Sequence, residues 1–107
     1  MNIVRLDRFT APAVVRGALL AGIAETRALL RRQRGFVRDA LLERPLGQDV
    51  VEVVTYAEWT DTAALTGARD AVVAAQRRAG FDRTAFLAAH GITADFATLS
   101  RLPDDSS

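Results

Sequence analysis

The sequence contains no cysteine and no lysine, and it has one histidine and one tryptophan among 107 residues. Without cysteine, the chain has no disulfide, no thiolate metal ligand and no cysteine nucleophile. The basic residues are all arginine, and 14 of them nearly balance 13 aspartates and glutamates, which leaves a formal net charge of +1. This balance does not indicate a surface for nucleic acid or for an anionic membrane.

Long apolar runs are also missing, and nothing approaches the length of a membrane span. Charged residues already appear at Arg5 and Asp7, too early for a signal peptide. We therefore expect a cytoplasmic protein without a membrane contact. Half of the residues are apolar and a quarter are charged, which is typical of a folded domain. We expect one domain over residues 1–102 and a flexible C-terminal tail over residues 103–107.

Hydrophobic periodicity predicts four strands and three helices in the order β-α-β-β-α-α-β. The predicted strands are residues 2–9, 36–44, 49–59 and 96–102. The first helix is predicted to begin at a Thr10 cap, with Pro12 in its first turn, and to end at Gly35. The predicted second helix follows a cap at Thr60 or Asp61 and ends near Gly80, and the third runs from an Asp82 cap to Gly91.

This order is the ferredoxin-like plan, an α+β fold with an antiparallel sheet. Right-handed crossovers place all helices on one face of that sheet, so the other face should be polar. In the predicted hairpin, however, apolar residues lie on both faces of the strands. We expect Phe36, Ala40 and Leu42 to share one face, with Val37 and Leu41 on the other. Likewise, Val51 and Val53 should face away from Val50, Val54 and Tyr56.

Two apolar faces with helices on only one of them predict a homodimer through the sheet face. The second copy would complete a dimeric α/β barrel. The alternative is a monomer with somewhat apolar strands.

The segment from Val53 to Ala64, Val-Val-Thr-Tyr-Ala-Glu-Trp-Thr-Asp-Thr-Ala-Ala, resembles the strand–tryptophan–helix signature of the antibiotic biosynthesis monooxygenase (ABM) family. Gly35-Phe36 resembles the Pro-Gly-Phe that begins the second strand of that family, with Arg34 in place of the proline. The resemblance covers residues 1–102 and implies a dimeric α/β barrel. It also implies one of several activities: cofactor-free oxygenation of polyketides or quinols, haem degradation, or cyclisation in related barrels.

The resemblance carries only part of the family's functional pattern. Trp59 matches, but the oxygenase branch has an asparagine where Thr55 stands and a tyrosine where Leu65 stands. The haem-degrading branch has a histidine late in the second helix, and residues 61–79 contain none. The resemblance therefore implies a protein without cofactor, and no spacing of residues indicates a metal site.

Three residues are candidates for catalysis: Trp59, Thr55 and His90. Trp59 would stack against a flat aromatic substrate, or serve only as a core anchor. Thr55 shares its face and would position a substrate oxygen, or simply fill a strand position. His90 is the one side chain with an ordinary pKa near neutrality and would act as a base, or lie in solvent at a helix end.

Substrate contacts are predicted from six further side chains: Tyr56, Leu65, Phe36, Phe81, Phe86 and Phe96. Most of them would line an apolar pocket between sheet and helices, and they are explained equally well as core. Tyr56 has the opposite parity from Trp59 and should face the partner sheet or a strand edge. Arg5 and Asp7 share a face of the first strand, where they mark a ligand site or lie in solvent.

These observations predict a cofactor-independent monooxygenase that acts on an aromatic, quinol or polyketide-like small molecule. The first alternative is a non-redox barrel, either a cyclase or a small-molecule binding protein, that uses the same pocket. The second is a dimer without a catalytic role, as one subunit of a larger assembly. A pocket too small for a ring compound would favour this last alternative.

Overall fold

A computed structural model describes residues 1–104 and contains the predicted elements in the predicted order. They are β1 (Ile3–Pro12), α1 (Arg16–Leu30), β2 (Phe36–Pro45), β3 (Val50–Trp59), α2 (Thr62–Arg78), α3 (Arg83–Ala89) and β4 (Thr93–Ser100). A short 3₁₀ turn, Ala13–Val15, leads into α1. No helix in this part of the chain is long and apolar enough to cross a membrane.

The four strands form one antiparallel sheet in the order β2-β3-β1-β4, as expected for the ferredoxin-like plan. One side of the sheet packs against the helices. Phe9 and Val53 point from the two central strands to Leu19 and Ile23 of α1, and Ile92 closes this cluster. The predicted α+β class and strand arrangement are confirmed.

The other side of the sheet, here called the open face, carries no helix. Strand register assigns its side chains. They are Arg38, Ala40, Leu42 and Arg44 of β2, Val50, Glu52, Val54, Tyr56 and Glu58 of β3, Val4, Leu6, Arg8 and Thr10 of β1, and Thr93, Asp95, Ala97 and Leu99 of β4. Apolar side chains therefore occupy both faces of the central strands, as the sequence predicted.

The first strand is longer than predicted, and the predicted helix start is wrong. Thr10 and Pro12 do not cap and open α1, because both belong to β1 and pair with Glu52 and Val50. The pairing of β1 with β3 continues as far as Val50, the first residue of β3. This ladder of backbone hydrogen bonds stabilises the strand more than a single cap at Thr10 would stabilise a helix. Similarly, β4 begins at Thr93 and not at residue 96, because the extended β1 provides partners for its first residues.

The second strand contains a bulge that the sequence analysis missed. The register of β2 against β3 shifts between Phe36 and Arg38, so one extra residue lies on β2. The shift places Phe36 opposite Trp59 on the helix-covered face, whereas Ala40 and Leu42 lie on the open face. The prediction that Phe36 shares a face with them is therefore wrong.

The predicted caps of the later helices are confirmed. Asp61 accepts a hydrogen bond from the backbone N–H of Ala64, at 2.8 Å, and Asp82 accepts one from Ala85, at 3.1 Å. The first helix ends earlier than predicted, at Leu30, and a turn separates it from Gly35. Of the predicted tail, residues 105–107 lie outside the described residues.

Candidate functional site

A cavity of about 430 Å³ lies between the helix-covered face of the sheet and the helices. This volume falls within the range of about 300–1,000 Å³ that is usual for small-molecule sites. Its walls are mostly apolar and come from both layers; they include Phe9, Thr55, Trp59, Leu19, Ile23, Leu30, Leu65, Val72, Phe86 and Leu87. The volume of the cavity is therefore sufficient for a ring compound.

Trp59 is both a core residue and a wall of this cavity. It is the last residue of β3, is only 1% exposed, and packs with Leu65 and Ala68 of α2. The ring of Phe36 meets it edge-on, with 5.6 Å between ring centroids. Its indole Nε1 is buried without a hydrogen-bond partner. A buried unpaired N–H is costly, so a movement of the indole that opens Nε1 to the cavity would let a ligand oxygen accept its hydrogen bond.

Thr55 and Tyr56 are neighbours on β3 with different surroundings. Thr55 borders the cavity on the same face as Trp59 and lies between Asp7 and Leu41 on the adjacent strands. Tyr56 also borders the cavity. Its hydroxyl, however, donates a 2.7 Å hydrogen bond to Glu58 on the open face. That hydrogen bond raises the pKa of Tyr56 above its ordinary value, with burial adding to the effect.

The predicted apolar contacts divide into two groups. Leu65, Phe81 and Phe86 border the cavity, and the two phenylalanines pack with 5.6 Å between their ring centroids, as the predicted staple before α3 requires. Phe36 and Phe96 are not part of the wall. Phe36 lies behind Trp59, and Phe96 packs edge-on against Phe9 from β4.

His90 lies outside the cavity wall. It is the C-terminal cap of α3, where its Nδ1 is 2.8 Å from the carbonyl oxygen of Phe86. Its ring also packs on the ring of Phe86, with 4.2 Å between centroids. The side chain is thus held along its own helix, and the structure gives no support to its predicted role as a base in the pocket.

One end of the cavity carries a charged group from β1 and α3. Arg5 and Asp7 share a face of β1, as predicted, and form a 2.6 Å ion pair. Arg83, which the sequence analysis did not select, borders the cavity beside them. Its Nη2 is buried without a hydrogen-bond partner. Loss of hydration lowers the pKa of Arg83, nearby Asp7 opposes this change and Arg5 adds to it.

A second charged group lies where α1 crosses β2. Asp39 accepts hydrogen bonds from Arg27, at 3.1 Å, and from Arg31, at 2.9 and 3.0 Å. Burial by itself would raise the pKa of Asp39, but the two guanidinium groups lower it overall. Asp39 and Arg27 both border the cavity, so an ion pair forms part of its wall.

The arrangement of these side chains does not form a metal centre in the described part of the chain. Within residues 1–104, no three His, Asp or Glu side chains are grouped so that they could hold a metal ion.

Comparison with known proteins gives matches only at the level of structure. No protein-family model matches the sequence, and no curated protein matches it. Among solved structures, the chain is similar to SnoaB, a cofactor-independent oxygenase from Streptomyces nogalater. A point mutant of SnoaB is 22% identical, with a TM-score of 0.67 and coverage of 99% of this chain and 98% of that one.

Two further solved structures are similar. A candidate antibiotic biosynthesis monooxygenase from Bacillus cereus is 14% identical, with a TM-score of 0.64 over 100% of this chain and 97% of that one. The chain has the fold of the antibiotic biosynthesis monooxygenases. A point mutant of MhuD with two manganese protoporphyrin IX molecules bound per active site is 20% identical, with a TM-score of 0.64 over 98% of this chain and 99% of that one. Identities this low establish the fold alone.

In this ABM fold, both positions that depart from the oxygenase pattern of the family border the cavity together with Trp59. These are Thr55 and Leu65. The cavity therefore has a hydroxyl in place of an amide at Thr55, and at Leu65 it has an apolar side chain in place of a phenol. Sequence reasoning found these three residues through the tryptophan signature, but it had no signal for Arg83 beyond its place directly after the Asp82 cap.

Proposed function

We propose that the protein is a cofactor-independent monooxygenase of a flat phenol, quinol or polyketide-like compound. The observation that carries this proposal is the cavity of about 430 Å³ beside Trp59, whose indole N–H has no partner in the protein. A cavity of this size argues against a dimer without a ligand. The solved structure of SnoaB, a cofactor-independent oxygenase with the same fold, supports the reaction class.

The substrate would supply all the electrons for the reaction. For an anthrone, the methylene carbon becomes a carbonyl, one atom of O₂ enters the product and the other leaves as water. The four electrons that reduce O₂ come from the carbon that is oxidised, so atoms and electrons balance without a further reductant. The contribution of the protein is to exclude water, to hold the ring against Trp59 and to donate its Nε1 hydrogen bond to the substrate oxygen.

Oxygen uptake with anthrone and with simple quinols tests this proposal. We expect the wild type to consume O₂ and to place one ¹⁸O atom from ¹⁸O₂ in the product. Trp59→Phe retains an aromatic ring but removes the donor, so we expect kcat/KM to fall about tenfold or more. His90→Ala should leave the rate unchanged because His90 lies outside the cavity wall. Purified protein that consumes no O₂ over a broad panel would exclude the oxygenase.

A non-redox barrel, either a cyclase or a binding protein, is the second candidate. It is favoured by the position of His90, which leaves Trp59 without a histidine base nearby, and by Leu65 in place of the family's tyrosine. Turnover of a polyketide-like compound without ¹⁸O in the product would identify a cyclase. Binding without any turnover would identify a binding protein.

We also propose that the protein acts as a homodimer through the open face. The described chain is a thin slab of 44 × 39 × 17 Å. Its radius of gyration is 14.8 Å, against about 13 Å expected for a compact domain of this length. Leu42 and Leu99 on the open face are 54% and 47% exposed. A second copy would cover this apolar surface, as the sequence analysis predicted.

The charges on the open face are compatible with burial in such a dimer. Glu52 accepts a 2.7 Å hydrogen bond from Arg44. Glu58, which is 1% exposed, accepts hydrogen bonds from Asn2 and Tyr56, both at 2.7 Å, and these bonds lower its pKa. Because Glu52 and Glu58 already have partners within their own chain, a second copy would cover these two carboxylates without leaving either of them unpaired.

A further inference from the structure

Arg83 is the first residue of α3, and its guanidinium lies among aromatic rings at one end of the cavity. Its central carbon is 4.2 Å from the ring centroid of Phe96 and 6.0 Å from that of Phe9. The residue is partly buried and borders the cavity. Stacking on aromatic faces holds the guanidinium in place, but it satisfies none of its N–H donors.

Four arginines border the cavity: Arg5, Arg27, Arg69 and Arg83. Within residues 1–104, Arg69 and Arg83 form no ion pair, but Arg69 is exposed whereas Arg83 is partly buried. Arg5 is paired with Asp7, and Arg27 is paired with Asp39. Within residues 1–104, no carboxylate forms an ion pair with Arg83, and its Nη2 is buried without any hydrogen-bond partner. A guanidinium offers five donors in a rigid fork that matches an anionic oxygen pair. Among residues 1–104, no anion therefore contacts the guanidinium of Arg83 directly, and Asp7 acts on it only from a distance.

We propose that Arg83 binds an anionic oxygen, a carboxylate or an ionised phenol, of the aromatic compound that occupies the cavity. This inference deepens the proposed function, because it names the substrate class of the same cavity. In the proposed oxygenase, Arg83 stabilises the substrate anion from which O₂ takes electrons. The same pairing would also orient the ring along the cavity.

The separation between Trp59 and Arg83 indicates the length of this compound. Trp59 lies opposite Ile3 of β1, and Phe96, against which Arg83 stacks, lies opposite Asp7. Four residues along a strand correspond to about 13 Å. Trp59 and Arg83 thus border the same cavity at separate places along β1. A fused ring system with an oxygen at each end spans this separation better than a single ring does.

Calorimetric titration with anthraquinone-2-carboxylate and anthraquinone-2-carboxamide tests the inference. The two probes share their rings and ring oxygens and differ in the charge of one group. We expect the wild type to bind the carboxylate at least about tenfold more tightly than the carboxamide, because a charged hydrogen bond forms only with the former. Arg83→Gln should remove this preference and leave the affinity for the carboxamide nearly unchanged.

Two further variants serve as controls. Arg83→Lys keeps the charge and should retain part of the preference, and Arg78→Gln removes an exposed arginine at the end of α2 and should retain all of it. The comparison of the two probes on the wild type requires no variant, so equal affinity would overturn the inference even if Arg83→Gln fails to fold, and Arg83→Lys then tests whether a preference depends on Arg83. Equal affinity for the two probes, binding of neither, or a preference that survives in Arg83→Gln would overturn the inference.

The binding experiment is independent of turnover. If no compound is oxidised but the carboxylate preference depends on Arg83, the oxygenase proposal fails and the anion site stands. If O₂ is consumed by the wild type and both probes bind equally, the oxygenase stands and the anion site fails.

Discussion

At the scale of single residues, Gly35 shows how one backbone position joins the two layers of the fold. It has a φ of +84° and lies directly before β2. A Cβ at this position would lie 2.8 Å from Oγ1 of Thr60 and closer still to Cβ of Ala64. The backbone carbonyl of Gly35 also accepts a 2.9 Å hydrogen bond from Thr60. Glycine here permits both the left-handed turn and the close approach of α2.

We expect Gly35→Ala to lower the free energy of unfolding by about 3 kcal/mol, because backbone strain and steric overlap act together. Gly80→Ala is the matched control. Gly80 has a similar φ of +68°, but nothing lies within 4 Å of a Cβ at that position. Gly80→Ala should therefore lower the free energy of unfolding by about 1 kcal/mol. Urea unfolding measures both values, and equal losses would contradict the role of the contact with α2.

At the scale of elements, one carboxylate connects α1 to β2. Asp39 comes three residues into its strand, just after the bulge, and meets two arginines from the end of the helix. The bulge determines this contact, because it places Asp39 on the helix-covered face. Without the extra residue, the carboxylate would point to the open face and the arginines would remain without it.

We expect Asp39→Asn to lower the free energy of unfolding by about 2 kcal/mol at pH 7, because two charged hydrogen-bond pairs are weakened. The pKa of Asp39 is lowered in the folded state, so its contribution is present above the unfolded pKa of about 3.9. That contribution disappears as the pH falls through the folded pKa.

The difference between wild type and Asp39→Asn should therefore shrink in acid, which urea unfolding at pH 7 and pH 3 measures. Asp70→Asn, at an exposed position on α2, is the control and should change little. A difference that stays constant from pH 7 to pH 3 would show that the ion pairs do not contribute.

At the scale of the whole molecule, the main question is what covers the open face. Leu41 and Leu42 provide a matched pair for this question, because they are adjacent on β2 and point to opposite faces. They are 39% and 54% exposed in the single chain, so both positions are partly open to water. In the proposed dimer, only Leu42 would become buried against the second copy.

We expect the wild type to sediment at twice the chain mass of 11.6 kDa at micromolar concentration. Leu42→Glu should shift it toward the single-chain mass, because a charge would be buried in the interface without a partner. Leu41→Glu should remain a dimer. A wild type that sediments at the single-chain mass would contradict the dimer, and so would equal effects of the two variants.

Much of the fold could be predicted from the sequence, because it depends on patterns within short segments. The element order, the caps at Asp61 and Asp82 and the contact between Phe81 and Phe86 follow from local spacing and local hydrogen bonds. The apolar character of both sheet faces also follows, since strand side chains alternate with a period of two.

The site depended on tertiary structure. The bulge before Arg38 decided on which face Phe36 lies, and packing along α3 turned His90 away from the cavity. Arg83 looked like any other arginine in the sequence, and only its position among aromatic rings left its Nη2 buried without a hydrogen-bond partner. The sequence by itself determined the elements because each depends on near neighbours. The tertiary structure alone decided which donors lack partners, because pairing and desolvation depend on what other segments place opposite them.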